Sequence, residues 1–394
     1  MTRLSPDHTR RLLVFIAVVL AVLAPIYALN RKVKDDESAL SLGGNAQLRT
    51  ALERLQSDPA GLAMTMGPSL FDERHMRQVN ARIIPHVDVL VIGQSDADHI
   101  SGTFFRPGVG FYNGFVSNSH LAYQYEVFEE VSAARGMPDL VLFDVRSGLL
   151  LLGGDEPSWD TPADKLWWDG PPKSRGEVKT HWYREIDSLL SLQQTELTAR
   201  SLWARYTLRH SSAAPDADSG APYLVVPANK PSGSHRWLGD GSRIYPGEVN
   251  GVLVPRFGAG IGEAIGVRKV NPKRLAVVAE LLDKFRERGA NVIVYVPPVN
   301  PRAFEQDPRQ VGYIHELATA LRETADKRGF DFCDFGADAV ALGCKESDFY
   351  DELHVGRGCG RRVIGAMATE CAKRFGPKLR DKLAESVLRD GRSP

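Results

Sequence analysis

The chain has 394 residues, 43% of them hydrophobic, with 49 basic and 49 acidic side chains. That length is enough for one large domain or two ordinary ones around a substantial core. The balanced charge creates no global field of the kind that gathers nucleic acid or a strongly acidic partner, so nucleic-acid binding is not expected.

The first element is Leu12 to Leu29, LLVFIAVVLAVLAPIYAL, an uncharged run of roughly 18 residues that is near the lower limit for a bilayer-crossing helix. Arg3, Arg10 and Arg11 precede it, while Arg31, Lys32 and Lys34 follow and are partly offset by Asp35 and Asp36. That balance favours a cytoplasmic amino terminus and a globular part on the far side. A cleaved signal peptide is the rival reading. The run is long for that purpose, and Ile26 stands where a cleavage pattern ending near Ala28 needs a small residue. The expectation is an uncleaved, single-pass anchor over residues 1–34 in the cytoplasmic membrane. Residues 35–85 then read as a polar stalk and lead-in helices, with helical patterns around Ala46 to Leu55 and Phe71 to Ile83.

From His86 onward the chain alternates strands and helices. Val87 to Ile92 is a short apolar run of the kind a buried parallel strand shows, and it passes directly into Gly93, Gln94 and Ser95. A strand near Val109 to Tyr112, a helix from His120 to Ala134 and a strand from Leu140 to Phe143 follow. The rhythm breaks between about residues 144 and 270, which read as a large insertion. It carries Trp159, Trp167, Trp168, Trp182, Trp203 and Trp237, a helical pattern from Tyr183 to Arg209, and a turn at Asp240, Gly241 and Ser242. At Pro272 the rhythm returns with a helix ending on Gly289, a strand ANVIVYV running into Pro297 and Pro298, a helix from Val311 to Arg328, a strand from Phe330 to Phe335, and a helix from Arg361 to Phe375. The tail after Pro377 reads as a surface helix. Strands joined through helices pair in parallel with right-handed crossovers, so residues 86–394 should form a three-layer α/β/α sandwich with a parallel sheet of about five strands.

Open sheets of this kind place their chemistry at the carboxyl ends of the strands, where Ser95 stands. A nucleophilic serine needs a base and a carboxylate to orient that base. Asp351 and His354, three apart on a loop before the last helix, can make the carboxylate–imidazole contact locally, and the first and last strands deliver their loops to the same edge. Cys333, Cys344, Cys359 and Cys371 form an even set near the end of the chain. Three pairings are open, besides four free thiols; the attractive one joins Cys344 to Cys359 around the Asp351 and His354 loop and Cys333 to Cys371. No zinc spacing appears, and the glycine-rich RFGAGIGEAIG lacks a phosphate-binding lysine, so no metal or cofactor is expected.

GQSDAD after the first core strand and DELHVGRGCG before the last helix resemble the serine block and the Asp-x-x-His block of the SGNH (GDSL-like) hydrolase superfamily. The anchor and the insertion resemble its membrane-anchored DltD-like and alginate O-acetylation-type envelope proteins. The resemblance covers about residues 87–146 and 290–375. It implies a Ser95–His354–Asp351 triad and oxyanion donors at the places of Asn118 or Gly114 and of Arg146. The departures are Gln94 where the family has an acid and the lack of an asparagine after Leu140 to Phe143. The implied function is an extracytoplasmic O-acyltransferase or esterase working on acyl groups, acetyl first among them, of an envelope or exported polysaccharide. A multi-pass membrane O-acyltransferase is the implied partner. The alternative is a non-catalytic glycan-binding or assembly scaffold.

Overall fold

The computed structural model describes residues 21–31, 48–59, 61–66, 73–117, 121–145, 223–229, 235–246, 270–306, 308–351 and 353–390, with single positions at 190, 195, 199, 248 and 253. They fall in two compact units. One comprises Met1–Ala46, Pro68–Leu70 and Glu156–Gly220. Its described part includes a helix, α1, over residues 21–31, along which Val22, Leu23 and Leu29 are exposed, with Asn30 Nδ2 donating to Thr195 Oγ1 at 3.1 Å. Residues 12–20 of the expected anchor lie outside the described residues, and among those described no helix is long and apolar enough to cross a membrane.

The other unit, Gln47–Gly67, Phe71–Asp155 and Ala221–Pro394, is mixed α/β. Its strands are β1 (Leu62–Met66), β2 (Val89–Ile92), β3 (Phe111–Asn113), β4 (Leu140–Asp144), β5 (Tyr223–Pro227), β6 (Arg236–Leu238), β7 (Arg243–Ile244), β8 (Val292–Val296) and β9 (Asp331–Asp334). Five of them form a sheet in the order β3-β2-β4-β8-β9 with every neighbouring pair parallel. Side chains alternate across a strand, so Val89, Val91, Leu140, Leu142, Ile293, Tyr295 and Cys333 share one face. They pack with Val363 and Ile364 of the helix α5 (Arg357–Ala366) and with Met367 and Leu379 beyond it. On the opposite face Phe143 meets Phe285 of α3 (Pro272–Glu287) at 5.8 Å, and Phe285 meets Phe128 of α2 (Leu121–Arg135) at 4.8 Å. Both faces are thus covered by helices, which is why these strands read as unbroken apolar runs. The helix α4 (Arg309–Asp326) connects β8 to β9.

The last helix begins four residues earlier than the expected Arg361 and gives way to a wider turn, Met367–Cys371, well before Phe375. Glycines at 358 and 360, inside the helix, discourage it on propensity alone. Packing overrides this: a Cβ on Gly360 would sit 2.5 Å from the His99 ring, and one on Gly356 2.1 Å from the Leu253 side chain. The tail is also not a single surface helix. The helices Gly376–Lys382 and Glu385–Asp390 bury Leu379 and Val387 on the core, with Leu383 buried between them.

A second, antiparallel sheet has the order β5-β1-β6-β7. It corrects the expectation for the lead-in: residues 35–85, expected to hold only stalk and helices, contribute the strand β1. Its partners β5 and β6 come from the described part of the expected insertion. Trp237 is buried in β6; the other five tryptophans and nearly all of the expected helix from Tyr183 to Arg209 lie outside the described residues. The disulfides are Cys333–Cys371 and Cys344–Cys359, with Cα separations of 5.4 and 5.2 Å.

Candidate active site

Ser95 follows the end of β2 as the first residue of a single 3-10 turn, Ser95–His99. The sequence permits this turn for local reasons. A Cβ on Gly93 would stand 2.5 Å from Cβ of Asp144 on the neighbouring β4, so only glycine lets the strand end here. Asn113, at the end of β3, donates from Nδ2 to the carbonyls of Ala97 at 2.7 Å and Ile100 at 2.9 Å, fastening the turn from below. His99 donates from Nδ1 to the Asp96 carbonyl, which fixes its tautomer, and burial lowers its pKa to about 4.

The other half of the site is the loop closed by Cys344–Cys359. Tyr350 N donates to the His354 carbonyl at 2.8 Å, and Phe349 bridges Val355, so the two sides of the loop are pinned together next to His354. Asn300, after β8, reaches the Asp351 carbonyl from Nδ2 at 3.4 Å. The parallel sheet brings this loop and the serine turn to one edge. His354 Nε2 lies 2.8 Å from Ser95 Oγ, and His354 Nδ1 lies 2.7 Å from Asp351 Oδ2. Asp351 Oδ1 also accepts from the amides of Leu353 at 2.9 Å and His354 at 2.8 Å. With the carboxylate on Nδ1, that nitrogen carries the proton and Nε2 is free to accept the serine proton.

The electrostatics support this division of labour. Burial pushes Asp351 up, but hydrogen bonds from the His354 ring and from the Leu353 and His354 amides bring it down to about 2. Burial works against the His354 imidazolium, yet the Asp351 hydrogen bond and the charges of Asp96, Asp351 and Asp98 outweigh it and hold the group above the usual histidine value. Asp96 Oδ1 is 3.8 Å from His354 Nε2. Asp98 is fully buried; burial raises it to about 6 despite the opposing effect of Arg243, His354 and Tyr245.

All three residues of the expected triad therefore meet in hydrogen-bond contact. Of the oxyanion candidates, Gly114 does not join them. The Gly114 amide donates to the Val91 carbonyl at 2.8 Å, so it belongs to the edge of the sheet and does not serve Ser95. Asn118 and Arg146 lie outside the described residues. Sequence reasoning missed Asp98, Asn113, Arg243, Tyr245 and Asn300. Asp98 carried a signal, standing three residues after Ser95, where a 3-10 turn eclipses side chains. Arg243 and Tyr245 carried none, being read as part of an insertion.

Compared with models of known families, with curated proteins and with solved structures, the chain has no match.

Proposed function

We propose that the protein is a membrane-tethered serine acyltransferase or esterase of the SGNH type, acting outside the cytoplasm on acyl groups, acetyl first among them, of an envelope or exported polysaccharide. The observation that carries this reading is the continuous relay from Asp351 through His354 to Ser95 Oγ. Ser95 Oγ attacks the acyl carbonyl while His354 Nε2 takes its proton, and the Asp351 carboxylate stabilises the imidazolium. As the tetrahedral adduct collapses, His354 returns the proton to the leaving alcohol and the acyl group remains on Ser95 as an ester. A second hydroxyl, activated by His354, then takes the acyl group: water makes an esterase, a sugar hydroxyl a transferase. No cofactor enters these steps.

Two disulfides suit an oxidising compartment beyond the cytoplasmic membrane, and exposed apolar side chains on helix 21–31 suit the anchor. One span forms no path for activated acyl groups, so a multi-pass membrane O-acyltransferase is the proposed supplier. A second reading, a non-catalytic glycan-binding or assembly scaffold, draws on the engagement of the Gly114 amide by Val91. Hydrolysis of p-nitrophenyl acetate by the full chain, with and without an acetylatable oligosaccharide acceptor, separates the two. Turnover lost in Ser95→Ala supports the enzyme. Oligosaccharide binding without turnover favours the scaffold.

A further inference from the structure

The segment Arg243 to Tyr245, delivered by the β6–β7 hairpin of the small sheet, reaches both halves of the site, the serine turn and the His354 loop. Asp98 shares the 3-10 turn with Ser95, three residues on, so whatever holds Asp98 fixes the rotation of the nucleophile's turn. Tyr245 donates its hydroxyl to Asp98 Oδ2 at 2.6 Å, and Arg243 Nη2 pairs with the same oxygen. Asp98 Oδ1 takes no hydrogen bond among the described residues. Arg243 is itself steadied by Ser117 Oγ at 3.3 Å, with its guanidinium over the Phe115 ring at 5.2 Å.

The second contact runs through the Tyr245 ring. It lies 6.0 Å from the His354 imidazole and stacks on Tyr350 at 4.4 Å, while the Tyr245 amide is tied to Glu248 Oε2 at 2.9 Å. The hairpin turn also grips the segment after the Ser95 turn, where Asp240 Oδ2 accepts from Gly102 N at 2.6 Å. A buried ion pair adds little net stability, because desolvation offsets its attraction, so stability alone is a poor reason for this arrangement.

We propose that Arg243 and Tyr245 are positioning residues that hold Asp98, and with it the Ser95 turn, in register with the His354 ring. The proposal rests on the acyl-transfer reading of the site and assigns the small sheet a part in it. Ionised Asp98 also lies near enough to His354 to favour the imidazolium, alongside Asp96 and Asp351. The groups that face Asp98 and His354 are thus Asp96, Asp351, His99, Arg243, Tyr245 and Tyr295. Losing the Tyr245 hydroxyl or the Arg243 charge leaves Asp98 less stabilised as an anion, so it protonates more readily and His354 titrates lower.

The test uses the full chain with Tyr245→Phe, Arg243→Met and Arg243→Lys, and reads two quantities. One is kcat and KM for p-nitrophenyl acetate against pH. The other is the titration of the His354 Cε1–H resonance in histidine-labelled protein, assigned by its loss in His354→Gln, which needs no turnover. Tyr245→Phe should lower kcat about tenfold with KM unchanged, as the loss of one buried hydrogen bond to a charged group implies. It should also move the His354 titration and the acid limb to lower pH; Arg243→Met should do more, and Arg243→Lys should restore part of the loss. A fall in melting temperature with kcat and the His354 titration unchanged would overturn the proposal and leave a structural role. If unmutated protein lacks turnover while His354 still moves in the variants, the acyl-transfer reading fails and the positioning relationship stands.

Discussion

His354 Nε2 and Ser95 Oγ stand 2.8 Å apart although 259 positions of sequence separate them. Neither residue is brought there by its neighbours in the chain. The parallel sheet aligns the carboxyl ends of β2 and β9, and the loops that follow carry the two side chains to one edge. Asp351 then completes the relay from within the same loop as His354.

Asp351→Asn keeps the size of that side chain and removes its charge. An amide also offers the imidazole a donor, which favours the wrong tautomer, and such a change costs about 10⁴-fold in kcat where a triad operates. His354 loses the hydrogen bond that raises it most, so the residual activity should have its acid limb at lower pH than the unmutated protein. Steady-state rates across the pH range measure both effects.

Gly93→Ala tests the entry to the serine turn. The new methyl group would meet Cβ of Asp144 at 2.5 Å, in a place where strand backbone and not a flexible side-chain end must yield. We expect a loss of about 1–3 kcal/mol in denaturant unfolding. A shift of the turn by even ~1 Å should lower kcat about 100-fold. Gly136→Ala is a useful contrast: no atom lies within 4 Å, and its positive φ of 85° strains the backbone without touching the site, so activity should persist.

The parallel sheet was legible because burial on both faces writes its strands as apolar runs bounded by turn residues. The triad was legible because its Asp-x-x-His pair is local and its serine follows a strand. What stayed hidden depends on contacts between distant segments. β1 is five residues paired on both sides by strands more than a hundred positions away, and no local pattern announces that. Arg243 and Tyr245 become part of the site only when the hairpin folds against the turn. Gly360 lowers the local helix propensity, yet close approach to His99 demands it, as Leu253 demands Gly356 at the N-cap, and neither neighbour is visible in the sequence. Gly114 was aligned by motif, and the hydrogen bond to Val91 that occupies its amide has no trace in the sequence.

The Cys344–Cys359 bond closes a loop with a separation of 15 that contains both Asp351 and His354. Closing a loop of that size stabilises the folded state by about 3 kcal/mol in the chain-entropy account. The paired substitution Cys344→Ala with Cys359→Ala should lose about that much in denaturant unfolding. It should also lower kcat more than removal of Cys333–Cys371, which does not enclose the triad loop so closely. Equal effects on kcat from the two pairs would count against a role for this bond in holding His354.

His99 gives a pH test of the turn. Its folded pKa is about 4, below the unfolded value of about 6.5. The unfolded chain therefore takes up the proton first, so the contribution to stability is full above about pH 6.5 and is lost as the pH falls toward 4. The loss amounts to about 3 kcal/mol. Asp98, raised to about 6, works in the opposite sense and partly hides it in the unmutated protein. The difference in unfolding free energy between unmutated protein and His99→Gln removes the Asp98 effect. That difference should fall by about 3 kcal/mol between neutral pH and the folded pKa, and a constant difference would show that His99 is not held neutral by burial.

The proposed chemistry requires Ser95 to form an acyl ester with His354 as its base. Full-length protein mixed with p-nitrophenyl acetate and quenched in acid should gain the mass of one acetyl group. Proteolysis should place it on the peptide containing Ser95, and the adduct should be absent in Ser95→Ala and strongly slowed in His354→Ala. An unmodified Ser95 peptide in folded protein, or an adduct that survives Ser95→Ala, would rule out Ser95 as the nucleophile.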